Sequence, residues 1–220
     1  MKKLRQFITK LHTSTNRDYL ARMNDDKIEC MKIASQYSEK YWDGDRRFGY
    51  GGYKYIKGRW KPIAQEIIET YKLNKNSKIL DVGCGKAFLL YELKLLIPSL
   101  YIKGFDISSY GIDHAPGEIK KDLFIHNAAN VFPFEKKEFD LVISINALHN
   151  LEISGLKNAL QECQRVGKSS YIATESYRNE QELFNLQCWA LTCKSFFSLD
   201  QWLWLFKEFG YNGDYEFIYF

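Results

Sequence analysis

Ile79-Leu80-Asp81-Val82-Gly83-Cys84-Gly85 is the stretch on which the reading of this chain turns. Its first four residues follow Lys78 as a short apolar run, the pattern of a buried strand. Gly83 and Gly85 then allow a tight turn and a close approach of backbone to a ligand. The turn feeds a helix over 87–97 that stops at Pro98, so its N-terminal N–H groups face whatever the loop holds. Working outward, strands are expected at 101–107, 123–126, 139–145, 170–174 and 214–220. Helices are expected at 109–115, at 154–166 with Gly167 as a stop, and at 181–192. A further helix is opened by the capping box Ser198-x-x-Gln201 and closed by Gly210. Before the loop, 17–42 reads as a helix, 43–60 with its five glycines as a structured loop, and 61–71 as a helix with Pro62 in its first turn. Strands that alternate with helices predict an α/β fold, a mostly parallel sheet covered on both faces. Such sheets bind ligands outside the carboxyl ends of their strands.

The composition excludes several other classes. The chain has 220 residues, 45% hydrophobic and 26% charged, with only 14 Gly and 4 Pro, which rules out disorder, collagen and coiled coil. No apolar run reaches the ~18–20 residues of a membrane helix. The basic start, Met1 to Arg5, lacks the apolar segment of a secretory signal. A cytoplasmic chain is expected. Five cysteines, none in a CxxC pair, fit a reducing compartment and no zinc site. Residues 1–60 read as an N-terminal extension and 61–220 as the ligand-binding domain. The net charge of +4 is mild, but between Asp43 and Lys61 six cations stand against two acids, interleaved with Trp42, Phe48, Tyr50, Tyr53, Tyr55 and Trp60. A solvated basic face is the plain reading, and a cradle for an anionic ligand is the alternative. The sequence pI of about 8.6 is below the ~9 usual for a nucleic-acid domain.

Three cofactor classes use a glycine loop of this kind. A P-loop needs GxxxxGK[ST], and here Lys86 precedes Ala87. The nicotinamide pattern GxGxxG fails at its third place, Phe88, and gives no reason for Asp81. An Asp two residues before the first Gly suits a ligand with a cationic amino group. Asp106 ends the second strand 21 residues after Gly85, close to the ~20 expected of a ribose-binding acid. An amino acid joined to a nucleoside is S-adenosylmethionine.

On these residues the chain resembles the class I S-adenosylmethionine-dependent methyltransferases, a Rossmann-like family. ILDVGCGKAFLL resembles their first motif and GFDIS their second. Ala128-Ala129-Asn130-Val131-Phe132-Pro133-Phe134, FDLVISINALHNL and LFKEFGY follow in register, over roughly 63–220. The resemblance implies a three-layer sandwich with S-adenosyl-L-methionine as cofactor. Asp81, Gly83 and Gly85 would hold its methionine part, Asp106 its ribose and Ile107 its adenine, with Asn146 near the sulfonium. The family's adenine-binding Asp falls on Ala128, so either Asn127 beside it substitutes through its side-chain carbonyl or a backbone contact suffices. Only one strand follows Gly210 where the family has a hairpin, so six strands are expected, or seven with an N-terminal contribution.

For the acceptor, the rim supplies two candidates for acid–base work. His149 follows the fourth strand and suits a general base near neutrality; Glu175 ends the fifth and would orient it or bind a hydroxyl. Each has a plainer reading, a rim histidine bonded to backbone and a solvated acid. Arg59 is expected to clamp the cofactor carboxylate, and Arg46, Tyr50, Tyr53 and Trp60 to line the acceptor site beneath a lid at 43–60. The [DN]PP[YF] motif of nitrogen methylation is missing, and no carboxylate cluster suggests a metal. The extension resembles those of small bacterial methyltransferases of surface-carbohydrate or natural-product pathways. The expectation is therefore O-methylation of a small anionic hydroxylated metabolite, such as a nucleotide sugar or surface-glycan precursor. RNA methylation, a non-catalytic cofactor-binding subunit and a nicotinamide oxidoreductase are the alternatives.

Overall fold

The computed structural model describes residues 3–13 and 16–220. Six strands form one sheet: β1 (Lys78–Val82), β2 (Tyr101–Asp106), β3 (Leu123–Ile125), β4 (Phe139–Ile145), β5 (Gly167–Glu175) and β6 (Asp214–Ile218). Their order is β3-β2-β1-β4-β5-β6 and every pairing is parallel. The chain builds outward from β1 to β3, then returns to lay β4 on the other side of β1. That reversal opens a crevice beyond the carboxyl ends of β1 and β4.

Ten α-helices accompany the sheet among the described residues: α1 (Thr9–Thr13), α2 (Tyr19–Asn24), α3 (Lys27–Ala34), α4 (Glu39–Trp42), α5 (Lys61–Tyr71), α6 (Phe88–Leu96), α7 (Ser109–Asp113), α8 (Ile153–Val166), α9 (Glu180–Trp189) and α10 (Leu199–Glu208). The sheet is buried on both faces, which is why β1 and β4 read as continuous apolar runs. On one face Ile79, Ile102 and Ile143 pack with Ile63 and Ile67 of α5 and Leu89 and Leu93 of α6. On the other, Leu80, Val82 and Val142 pack with Leu156 and Leu160 of α8 and Trp202 and Phe206 of α10. No helix among the described residues is long and apolar enough to cross a membrane.

The predicted helix over 17–42 is three short ones. Asp18 and Asp26 cap α2 and α3 through their side chains. Left-handed backbone at Asp26 and Tyr37 (φ 35° and 48°) breaks the run. Local carboxylate caps compete with a continuous helix whose apolar spacing is loose. Gly167 is not a left-handed stop: its φ is −97° and it begins β5 directly. The helix predicted to reach 192 ends at Trp189, and Leu191, Thr192 and Cys193 are thereby free to line the rim.

The edge of β6 accounts for the missing hairpin. Leu4 forms a single parallel bridge to Tyr215. Arg5 N–H donates to Tyr215 O at 2.8 Å, and Tyr215 N–H donates to Lys3 O at 3.0 Å. Two carboxylates of β6 fix the segment. Asp214 accepts from Lys3 N–H at 2.9 Å, Arg5 Nε at 2.7 Å and the Tyr71 hydroxyl at 3.0 Å. Glu216, buried to 1% exposure, accepts from the backbone of Phe7, Ile8 and Thr9 at 2.7–3.0 Å and from the Tyr171 hydroxyl at 2.6 Å. The N-terminus thus protects an edge that would otherwise expose unpaired backbone.

Candidate active site

The glycine loop sits at the reversal point, and both glycines are left-handed (φ 76° at Gly83, 54° at Gly85). The room left by their absent side chains is taken by protein. A Cβ on Gly83 would stand 2.3 Å from Ala147 Cβ, and one on Gly85 would stand 2.7 Å from the Trp42 ring. Asp106 spans the loop. One carboxylate oxygen accepts from Gly85 N–H at 2.7 Å and the other from Ser108 N–H at 2.8 Å. Burial raises its pKa against the lowering pull of those bonds. Asp81 is 5% exposed. Burial and the nearby Asp106 charge push its carboxyl up to about 8, so it holds a proton at neutral pH until a cation compensates it.

Two cavities lie over the carboxyl ends of the strands. The smaller, about 340 Å³, is lined by Gly83, Gly85, Asp106, Ile107, Asn127 and Ala128. Ile107 is 53% exposed there, an apolar surface suited to being covered by a flat ring. The larger, about 730 Å³, is lined among others by Arg46, Arg59, Trp60, His149 and Glu175. Tyr50, Tyr53 and Asn146 belong to both linings, so the two spaces meet. Asn146, just past β4, has left-handed backbone (φ 53°), and its buried side-chain oxygen has no hydrogen-bond partner. Strain of this kind in a residue other than glycine concentrates at functional sites.

His149 is 4% exposed. Its backbone carbonyl accepts from Lys194 and Ser195 N–H, both at 3.0 Å. Its Nε2 lies 3.5 Å from Glu175 Oε2, and its Nδ1 is buried without a partner. Burial lowers its pKa more than Glu175 raises it, so the imidazole is neutral and able to accept a proton at pH 7.

Two of the expected residues are placed differently from what their expected contacts would need. Arg59, expected on the cofactor carboxylate, lines the larger cavity and not the smaller. Asn127 lines the smaller cavity, but its side-chain oxygen accepts from Ala129 N–H at 2.9 Å, an Asx turn that engages the carbonyl expected to face adenine. Among the described residues no cluster of His, Cys, Asp or Glu is arranged to hold a metal ion.

The segment over the loop is tied down by two residues that had no expected role at the site, Trp42 and Lys86. Trp42 packs on Gly85, donates from Nε1 to Ser108 Oγ at 2.8 Å and stacks on Tyr50 at 5.2 Å. Lys86, which had only disqualified a P-loop, is buried and donates to both oxygens of Asp43 at 2.6 and 2.8 Å and to Tyr53 O at 2.8 Å. The aromatic spacing of 41–53 was the available signal for Trp42; nothing in the sequence links Lys86 to Asp43, 43 positions away.

Residues 73–210 match the methyltransferase-domain family, and the chain belongs to it as a class I S-adenosylmethionine-dependent methyltransferase. Among curated relatives, it is 29% identical over 142 residues to the demethylmenaquinone methyltransferase of Thermotoga maritima, covering 64% of this chain and 58% of that protein. It is 32% identical over 94 residues to the malonyl-[acyl-carrier protein] O-methyltransferase of Legionella pneumophila, covering 40% of this chain and 33% of that protein. The chain therefore spans less than two thirds of either relative. Among solved structures, the YcgJ protein of Bacillus subtilis superposes with a TM-score of 0.54 at 18% identity, over 66% of each chain, a likeness of fold.

Proposed function

We propose that this enzyme transfers the methyl group of S-adenosylmethionine to a hydroxyl oxygen of a small anionic metabolite, such as a nucleotide sugar or surface-glycan precursor. The observation that carries the reading is the junction of the two cavities at Asn146, Tyr50 and Tyr53, with the His149–Glu175 pair in the larger. The cofactor supplies an activated methyl on a sulfonium. In this reading Asp81 holds its amino group, Asp106 its ribose hydroxyls and Ile107 its adenine face. Holding two reactants in line is worth ~7–11 kcal/mol, and an oxygen nucleophile gains a further ~10²–10⁴-fold from a base.

His149 is that base. With Nε2–H turned to Glu175, Nδ1 carries the lone pair. The bound cofactor would supply the methyl group to the acceptor oxygen, whose hydroxyl proton passes to His149. Glu175 then stabilises the imidazolium, the role a carboxylate partner plays for a catalytic histidine. Residues 43–60, held by Trp42 and the Lys86–Asp43 pair, act as the lid of an N-terminal extension that builds the acceptor side. A cytoplasmic enzyme with a small-molecule partner belongs to the same reading.

The test supplies the enzyme with methyl-labelled cofactor and two acceptor pools, a small-metabolite extract and total RNA. Label in the small anionic fraction, stable to salt, is the expected result. Label in acid-precipitable RNA, falling steeply with salt as phosphate-backbone binding does, would overturn it.

A further inference from the structure

Three buried acceptor atoms in one short loop have nothing to accept from. They are Asn146 Oδ1, His149 Nδ1 and Asn150 Oδ1, each shielded from solvent and without a hydrogen-bond partner. All three residues line the larger cavity, and Asn146 and Asn150 line the smaller as well. A buried acceptor left unpaired forfeits its bonds to water and gains none in return. Native structures leave few such atoms, and three within five residues, all beside open space, ask for donors from a ligand.

The Asn150 amide oxygen has no structural duty. The turn Leu148–Asn150 that carries it is held by backbone: Asn150 N–H donates to Ala147 O at 3.1 Å, and Lys194 and Ser195 N–H both donate to His149 O at 3.0 Å. The Ser195 hydroxyl closes the far side on Leu151 O at 2.7 Å. No side chain caps the turn. The amide is thus positioned by its neighbours, and its oxygen holds none of them.

The other two acceptors narrow what remains. In the reading proposed for the site, Asn146 stands at the sulfonium and His149 takes the proton of the reacting hydroxyl. Asn150 follows His149 on the same turn, so the donor it meets belongs beside the reacting group. An ammonium is disfavoured there. The one carboxylate in the lining of the larger cavity, Glu175, faces His149 at 3.5 Å, while Arg46, Lys54 and Arg59 line the same space. A neutral hydroxyl can meet an amide oxygen without burying a charge.

We infer that Asn150 accepts a hydrogen bond from a second hydroxyl of the acceptor, next to the one that is methylated, so that the acceptor is a vicinal diol. The inference rests on reading His149 as the base of the larger cavity. It makes Asn150 a determinant of specificity. A molecule without the second hydroxyl leaves the amide oxygen buried and unpaired, which is how a site built to bond a hydroxyl rejects the analogue that lacks it.

The test titrates the full-length protein, saturated with S-adenosylhomocysteine, with ribose 5-phosphate and with 2-deoxyribose 5-phosphate, whose ring has no vicinal pair of hydroxyls. Ribose 5-phosphate should bind at least tenfold more tightly. Asn150→Leu, of similar size but with no acceptor, should cut that ratio below twofold. Asn150→Asp, which keeps an accepting oxygen, should recover most of it. Each variant should bind S-adenosylhomocysteine within twofold of the unaltered protein. A ratio near one on the unaltered protein, or binding of neither sugar, overturns the inference. So does a ratio that survives Asn150→Leu. A tenfold loss of S-adenosylhomocysteine in a variant that unfolds normally in urea also overturns it, by placing the amide on the cofactor. Should Asn150→Leu fail to fold, the ratios on the unaltered protein and on Asn150→Asp decide. Equal sugar affinities alongside label in the small anionic fraction would remove the diol and leave the methyl-transfer reading standing. Labelled RNA would remove the metabolite reading while the sugar ratio stands by itself.

Discussion

Asp81 gives the sharpest quantitative expectation. Its carboxyl sits at about 8 in the cofactor-free protein, raised by burial and by Asp106, whereas a ligand amino group favours its ionised form. Product binding should therefore release a proton. Asp81 is then almost wholly protonated at pH 6 and substantially ionised at pH 8, so product affinity should rise more than tenfold between them, on the order of 2 kcal/mol. The stability of the product-free protein moves the opposite way. A carboxyl raised in the folded state favours folding below its unfolded value and loses that contribution as pH climbs towards the folded value. The product-free protein gives up this contribution up to pH 8, while bound product holds Asp81 ionised, so the gap between product-bound and product-free Tm should widen from pH 6 to 8. Calorimetry with S-adenosylhomocysteine at pH 6, 7 and 8, in buffers of different ionisation enthalpy, measures affinity and proton count together; most of one proton should leave at pH 7. Asp81→Asn should bind more weakly and lose the slope. Affinity that stays flat from pH 6 to 8, with no proton released, would refute the assignment of Asp81 to the amino group.

Four further outcomes are expected. Gly83→Ala drives a Cβ to 2.3 Å from Ala147 on left-handed backbone; a loss of ~1–3 kcal/mol by urea unfolding, with weakened product binding, is expected, and unaltered stability would contradict the packing. Asp43→Asn removes the counter-charge of buried Lys86 and should speed proteolytic cleavage within 43–60; an unchanged rate, with or without product, would deny the pair its role in holding the lid. Glu216→Gln replaces an all-acceptor group facing Phe7, Ile8 and Thr9 N–H, so a loss of about 1.5–3 kcal/mol should appear in urea unfolding; less than a third of that would mean the N-terminal segment holds without it. His149→Gln should cut turnover about 10²-fold with product affinity within about twofold; because burial lowers this histidine, the rising limb of the unaltered enzyme should lie below pH 6.5, and activity still climbing above pH 7 would exclude a buried neutral imidazole as the base.

Strands β1 and β4 were legible to the residue because they lie inside the sheet, where both faces demand apolar side chains and the sequence carries an unbroken run. The N-terminal region was not. Between 17 and 42 the helical spacing is loose, and what breaks the run is local: Asp18 and Asp26 turn their carboxylates onto backbone N–H groups two helices would otherwise leave unpaired. The chain start was equally opaque, because its partners, Asp214 and Glu216, stand more than two hundred positions away.

The site divides along the same line. Asp106, Ile107, Asn146, His149 and Glu175 were legible because a parallel sheet sends the carboxyl ends of all its strands to one rim, so a residue's place follows from the strand before it. Arg59 carries no such constraint. Its cavity is decided by the path of residues 43–60, which depends on Lys86 reaching Asp43 and Trp42 reaching Ser108. Arg17 and Arg22 look like ordinary charges of an exposed helix until α9 brings Trp189 beneath them. The smaller cavity is therefore set by topology and the larger by tertiary packing of residues 1–60. A change before β1 or in α9 can therefore alter the larger cavity while the Asp81–Asp106 side keeps its geometry.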